Sequence, residues 1–308
     1  MERLPLLTFT PRFQPYVWGG RRLAEWFPSA PQTGPVAEAW VVSDVDTMPT
    51  PVASGPFSGW TLSRLIGEMG PRLLGGERWS RFPLLLKFLD AQQRLSVQVH
   101  PDDARAGPEQ RGKTEAWVVL AAESGGHVFA GFRHGVTEAD VRSAIGQDCL
   151  PELLHRIDVH PGDLIYLPAG TVHAIGSGLF LFEIQQTSDL TYRLYDWGRP
   201  RPLQIDRALA CVDWSRGPVS PMRADDGLAL DSPYFRLWRH RLDQPRRIGA
   251  RGQCRLVVVT AGIGVLDDGA TECPLHPGAV WMIPAEIGEV ECRPTATLDI
   301  LECGLPGV

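Results

Sequence analysis

The 308-residue chain contains no asparagine, and of its 30 basic residues only Lys87 and Lys113 are lysines. A coding bias that exchanges lysine for arginine accounts for the scarcity. The two that remain mark places where chemistry could need a compact ammonium, because arginine keeps its proton and cannot act as a point charge. Cysteine is dilute. The six at 149, 211, 254, 273, 292 and 303 include no C-x2-C pair, which excludes a disulfide scaffold and leaves reduced thiols. No apolar run approaches the ~20 residues that cross a bilayer as a helix. Met1-Glu-Arg-Leu-Pro lacks the charged-then-apolar order of a secretory signal. Together these absences lead us to expect a cytoplasmic protein with no membrane partner. A basic excess is missing too: 30 basic against 36 acidic residues give a net charge of −6, which argues against a nucleic-acid partner. The arginines between 236 and 255 are read as solvated faces.

What is abundant is turn chemistry. There are 32 glycines and 27 prolines, about a fifth of the chain where roughly an eighth is usual. With 44% hydrophobic residues, this describes a many-stranded β protein with a sizeable core. Helices are expected at 60–74, where Leu62, Leu65, Ile66, Met69 and Leu73 recur at helical spacing, and at 136–145 and 150–154. Strand-like runs occupy 39–43, 84–89, 95–100, 116–121, 127–132, 163–167, 172–175 and 179–185. The ESGG at 123–126 reads as a hairpin turn between two of them. A structure-poor stretch at 216–229 leads to further strands at 235–241, 255–261, 264–267, 279–283 and 298–302. HPGDLIYLPAG at 160–170 is echoed by HPGAVWMIPAE at 276–286. Two related β-barrel units follow, 1–220 and 221–308. The register of the echo sets Glu289 where the first copy has His173, so chemistry is expected in the first unit only.

Four polar side chains of that unit could converge. Gln98 and His100 are two apart in a short strand and leave the same face. Glu115 opens the next strand, and His173 follows a glycine- and proline-framed turn from Gly162 through Pro168 and Gly170. Two imidazoles, a carboxylate and an amide oxygen suit a divalent metal, zinc first, with iron, manganese or cobalt as alternatives. Structural readings compete: a histidine after such a turn often only packs, and a strand glutamine is usually a polar neighbour.

The glycine-framed His173 and the His100/Glu115 pair resemble the two motifs of the cupin superfamily. More specifically, the chain resembles the class I mannose-6-phosphate isomerases in their short bacterial form. The segments are PYVWGG at 15–20, FPLLLKFLDA at 82–91, LSVQVHPDD at 95–103, GKTEAW at 112–117, PAGTVHAIG at 168–176 and EIQQTSDLTYRLYDWGR at 183–199. The resemblance implies a mainly β fold of two cupin-type jelly-roll barrels with a few short helices. It further implies one zinc ion and interconversion of mannose 6-phosphate with fructose 6-phosphate, so the partner is a small sugar phosphate. The family's metal ligands fall on Gln98, His100, Glu115 and His173, and its substrate-site lysine and arginine on Lys113 and Arg193. Lys87 also lies in a family segment, and it and Glu38 are expected among the substrate-binding residues.

Isomerisation needs a base at C2, and Glu183, Lys113 and Glu38 are all candidates. Lys113 and Arg193 suit a phosphate dianion, unless Arg193 is tied to Asp189 or Asp196. Glu183 and Glu38 could equally be buried partners of an arginine. A mononuclear cupin dioxygenase and a non-catalytic sugar-binding cupin are the alternative functions. Monomer and dimer are both compatible with the sequence.

Overall fold

The structure is a computed structural model that describes residues 3–76, 79–108 and 110–306. Its strands form two pairs of antiparallel sheets, the two cupin-type barrels expected. In spatial order the first large sheet holds Arg12–Gln14, Glu38–Val42, Leu84–Ala91, Leu179–Gln186, Glu115–Ala122 and Leu164–Leu167. Opposite it lies a smaller sheet of Tyr192–Tyr195, Val97–Val99, His173–Ile175, His127–Phe132 and Leu154–Asp158. The second barrel repeats the plan. A sheet of Gly227–Asp231, Arg236–Leu242, Leu298–Gly304, Arg255–Ala261 and Val280–Ile283 is paired with one of Arg246–Gly249, Glu289–Pro294, Gly264–Asp267 and Glu272–Leu275.

The near-continuous apolar runs of the large sheets follow from burial on both faces. On Leu179–Gln186 the odd residues Leu179, Leu181 and Glu183 turn into the first barrel. The even residues Phe180, Phe182 and Ile184 turn outward. That outward face meets Leu237, Leu256, Val258, Met282 and Leu301 of the second barrel in one shared core. Val257, Val259, Leu266 and Ile300 fill the second barrel's own interior. The chain start crosses over as well: Leu6 packs into that interior, and Leu7 exchanges backbone hydrogen bonds with Met282 at 3.1 and 2.7 Å.

The helix expected at 60–74 forms as Leu62–Leu74, capped by Thr61 and kinked at Gly70 before Pro71. The helix expected at 136–145 runs Glu138–Gly146 and begins with a capping box between Thr137 and Asp140. At 150–154 only a 3-10 turn forms, Leu150–Leu153. The short helix Ile205–Cys211, unexpected from the sequence, packs on the outer face of the smaller first sheet.

One expectation is overturned. The strands either side of ESGG do not pair with each other: Glu115–Ala122 lies between Leu179–Gln186 and Leu164–Leu167, whereas His127–Phe132 belongs to the opposite sheet. The turn, with Gly125 at φ 79°, is an arch between sheets. Nothing local distinguishes an arch from a hairpin, because the choice depends on which distant strand claims the edge. The structure-poor linker also ends early, since Gly227 already opens a strand.

Candidate active site

Cross-strand register builds the site as two facing rows. Across the large first sheet, Trp40, Lys87, Glu183 and Trp117 are successive neighbours. Across the smaller sheet the row is His173, Gln98, Arg193. Residues directly opposite on adjacent strands share a face, so both rows project into the barrel. Glu115, first residue of its strand, and His100, one past Val97–Val99, join at the end where the rows meet.

His100, Glu115 and His173 are fully buried, with ligand atoms within 4.8 Å of one another. Each imidazole is oriented by its far nitrogen: Nδ1 of His100 faces the Leu190 carbonyl at 2.9 Å, and Nδ1 of His173 the Thr171 carbonyl at 2.9 Å. Donation there leaves both Nε2 lone pairs aimed at Glu115, 3.4 Å from Oε2 for His100 and 3.2 Å from Oε1 for His173. Neither Glu115 oxygen receives a well-directed hydrogen bond. Three buried donors converging without protons between them fit a divalent metal. Gln98 brings its amide nitrogen to 3.3 Å from His173 Nε2, and rotation of the amide would present its oxygen instead.

Lys113 Nζ lies 2.8 Å from Glu115 Oε2 and 3.1 Å from His100 Nε2. Burial, then the charge of Lys113, pushes the His100 pKa down to about 3, and burial lowers that of His173. Burial alone would raise the Glu115 carboxyl, but Lys113, His100 and His173 together hold it well below the usual range. The set is thus kept in the deprotonated form that binds metal.

The turn before His173 explains why the sequence frames it as it does. Gly170 has φ 86°, and a Cβ there would sit 3.0 Å from the Cys211 carbonyl oxygen and 3.1 Å from Asp213. Its N–H donates to the His100 carbonyl at 2.8 Å and its own carbonyl accepts from the Asp213 N–H at 3.0 Å. The one turn therefore ties two of the imidazole-bearing segments together.

Gln98 and Lys113 also line a cavity of about 310 Å³, with Glu38, Lys87, Glu183, Asp189, Arg193 and Arg201. Lys87 sits 3.4 Å from Glu183, 3.7 Å from Glu38 and over the Trp40 ring at 4.6 Å. Burial opposes its charge, but Glu38 and Glu183 outweigh that and hold its pKa above the usual lysine range. Glu38 is engaged twice, since Trp40 Nε1 also donates to it at 2.7 Å. Glu183 accepts from Trp117 Nε1 at 3.0 Å through Oε2, while Oε1 lacks a hydrogen bond. Burial raises its pKa despite the nearby lysines. Arg193 pairs with neither Asp189 nor Asp196; its Nη1 donates to the Pro202 carbonyl at 3.0 Å and its Nε has no acceptor among the described residues. Every site residue named from the sequence thus lines the cavity or the buried triad.

The type I phosphomannose isomerase catalytic domain matches residues 6–118. Mannose-6-phosphate isomerase ManA of Bacillus subtilis (strain 168) is 33% identical over 301 residues, covering 92% of this chain and 94% of that protein. The chain belongs to the type I phosphomannose isomerase family. A mannose-6-phosphate isomerase of Streptococcus mutans (serotype c, strain ATCC 700610 / UA159) is 32% identical over 88% of this chain and 90% of its own length. Among solved structures, a Bacillus subtilis mannose 6-phosphate isomerase superposes with a TM-score of 0.88 at 28% identity, over 97% of this chain and 99% of that one. Phosphomannose isomerase from Salmonella typhimurium shares the fold, at 18% identity and a TM-score of 0.76 for its apo form.

Sequence reasoning missed several cavity residues. Tyr16, Trp18 and Asp189 lay inside family segments and carried that signal. Arg201 lies outside all of them.

Proposed function

We propose that the chain interconverts mannose 6-phosphate and fructose 6-phosphate through a cis-enediol. The observation that carries this is the buried His100–Glu115–His173 triad beside a cavity holding both lysines, Glu183 and Arg193. His100, Glu115 and His173, with Gln98 as fourth donor, would hold one divalent ion, zinc by preference, which supplies polarisation of the sugar's carbonyl and hydroxyl oxygens.

Glu183 is the base in this reading, because among the three candidates it alone has a buried carboxylate oxygen with no hydrogen bond. It takes the C2 proton as the C1–C2 double bond forms and O1 gains a proton. It then returns the proton to C1 as O2 loses its own and the ketone forms. Lys113, beside Glu115 and Glu183, supplies and withdraws the oxygen-bound protons. Lys87 holds Glu183 and Glu38 in place and keeps charge in the cavity balanced. Arg193 meets the phosphate.

In this reading residues 1–220 form the catalytic unit and 221–308 a degenerate partner, with residues 4–7 crossing to it. Six unpaired thiols support a cytoplasmic location. A dioxygenase reading is not favoured by the family membership, nor is a non-catalytic sugar binder. A coupled fructose 6-phosphate assay with metal analysis by mass spectrometry tests the proposal. One equivalent of metal and turnover are expected; a metal-replete protein with no turnover would overturn it.

A further inference from the structure

The cavity has two ends of different electrostatic character. At the triad end each lysine is matched, Lys87 by Glu38 and Glu183, Lys113 by Glu115. At the other end two guanidiniums share one buried carboxylate. Asp196 Oδ2 accepts from Arg201 Nε at 2.5 Å, and Oδ1 accepts from Arg201 Nη2 at 2.7 Å and from Arg199 Nη2 at 2.7 Å. Arg199 is further tied to the carbonyls of Arg94 and Asp196 and does not line the cavity. Arg201 does line it, and its Nη1 has no partner among the described residues. The bidentate grip of Asp196, whose side chain is only 1% exposed, fixes the plane of that guanidinium. Arg193 enters the same cavity with its buried Nε unpartnered. The two are close enough that, after burial, Arg201 is what most lowers the Arg193 pKa. Asp196 matches the charge of Arg201 but not that of Arg193, so an anion between the two guanidiniums is favoured.

We propose that Arg201, positioned by Asp196, is the second arm of a two-arginine clamp on the substrate's phosphate dianion, opposite Arg193. The clamp rests on the sugar-phosphate reading above. It places the phosphate at the arginine end and the reacting carbons at the triad end beside Glu183.

The test uses metal-loaded wild type, Arg201→Ala, Arg201→Lys and Asp196→Ala, with two measurements. Steady-state kinetics on mannose 6-phosphate should show Arg201→Ala raising KM by roughly 10–150-fold, the span of one charge-assisted hydrogen bond, with kcat within about twofold. Calorimetric titration with inorganic phosphate should show a loss of affinity of similar size. Arg201→Lys should recover part of both, since it keeps the charge but not the fixed plane. Asp196→Ala should mimic Arg201→Ala in KM; if it does not fold, the Arg201 variants alone decide. Equal phosphate affinity in wild type and Arg201→Ala overturns the clamp. So does a fall in kcat at unchanged KM. Wild type that fails to turn over mannose 6-phosphate defeats the isomerase reading instead, and the phosphate titration then still judges the clamp.

Discussion

Glu183, the proposed base, sits in surroundings that would suit proton transfer. Trp117 fixes one oxygen and the other is left without a hydrogen bond. Burial raises its pKa above the ordinary carboxylate value, bringing its basicity nearer to working pH, while the Lys87 ammonium opposes that rise and favours the ionised form. The ascending limb of kcat/KM against pH should therefore lie above the ~4.3 of a free glutamate. Glu183→Gln should abolish that limb and lower kcat by roughly 10²–10⁴-fold while retaining one equivalent of metal. A variant that keeps its kcat would remove the residue from the reaction. His100 has the opposite sign. In metal-free protein the unfolded imidazole takes up a proton below about 6.5, whereas the folded one, lowered by burial and then Lys113, resists until about 3. Its contribution to stability is full above 6.5 and is lost as pH falls across that window. Urea midpoints of the metal-free protein should drop between pH 7 and 5, and less so in His100→Gln. Equal drops in both would refute the linkage.

At the scale of elements, the Pro168–Thr171 turn carries more than a change of direction. Its glycine both permits the left-handed backbone and bonds the His100 segment. Gly170→Ala should cost about 1–2 kcal/mol for the backbone alone, with further loss from crowding against Cys211 and Asp213. It should also weaken metal binding at least tenfold. Gly135→Ala is the control: φ there is 82° and nothing lies within 4 Å of a Cβ, so stability should fall alone. Metal affinity falling equally in both, read by chelator competition, would deny the turn its positioning role. The triad was legible in the sequence because its determinants are local: a two-residue strand spacing, a strand's first residue, a glycine-framed turn. What stayed hidden depends on pairing across long separations. The strand Tyr192–Tyr195 went unread, yet its register beside Val97–Val99 is what sets Arg193 next to Gln98. Asp196 was weighed as a partner for Arg193, but the chain turns after Tyr195 and hands that carboxylate to Arg199 and Arg201. The arch at Gly125 was misread for the same reason.

The whole molecule buries the back of its catalytic sheet against another barrel. In the echo of the first barrel, Glu289 opens a strand as His173 does, but it is exposed and pairs with Arg247 at 3.2 Å. Among the described residues the second barrel's interior is filled by apolar side chains, Cys273 and Cys292 included, and no cluster like the first barrel's triad converges there. What it contributes is surface. Phe182 and Ile184, which flank Glu183 on its strand, lie in the core shared with Leu256, Val258 and Leu301. The apolar sheet that positions Glu183 would otherwise face water, and exposing such a face costs roughly 25 cal/mol per Å². The two barrels should therefore unfold as one cooperative unit. Leu256, fully buried in the shared core on the second-barrel side, is the position to probe, since it lines neither the cavity nor the triad. Leu256→Ala removes buried methyl groups and should destabilise the metal-loaded protein by about 2–5 kcal/mol. Calorimetry should show a single transition displaced to lower temperature. Turnover measured well below that transition should stay within about twofold of wild type. Two resolved transitions, with only one of them moved, would mean that the first barrel stands without the second. The shared core would then be a contact between independent units rather than the support of the site.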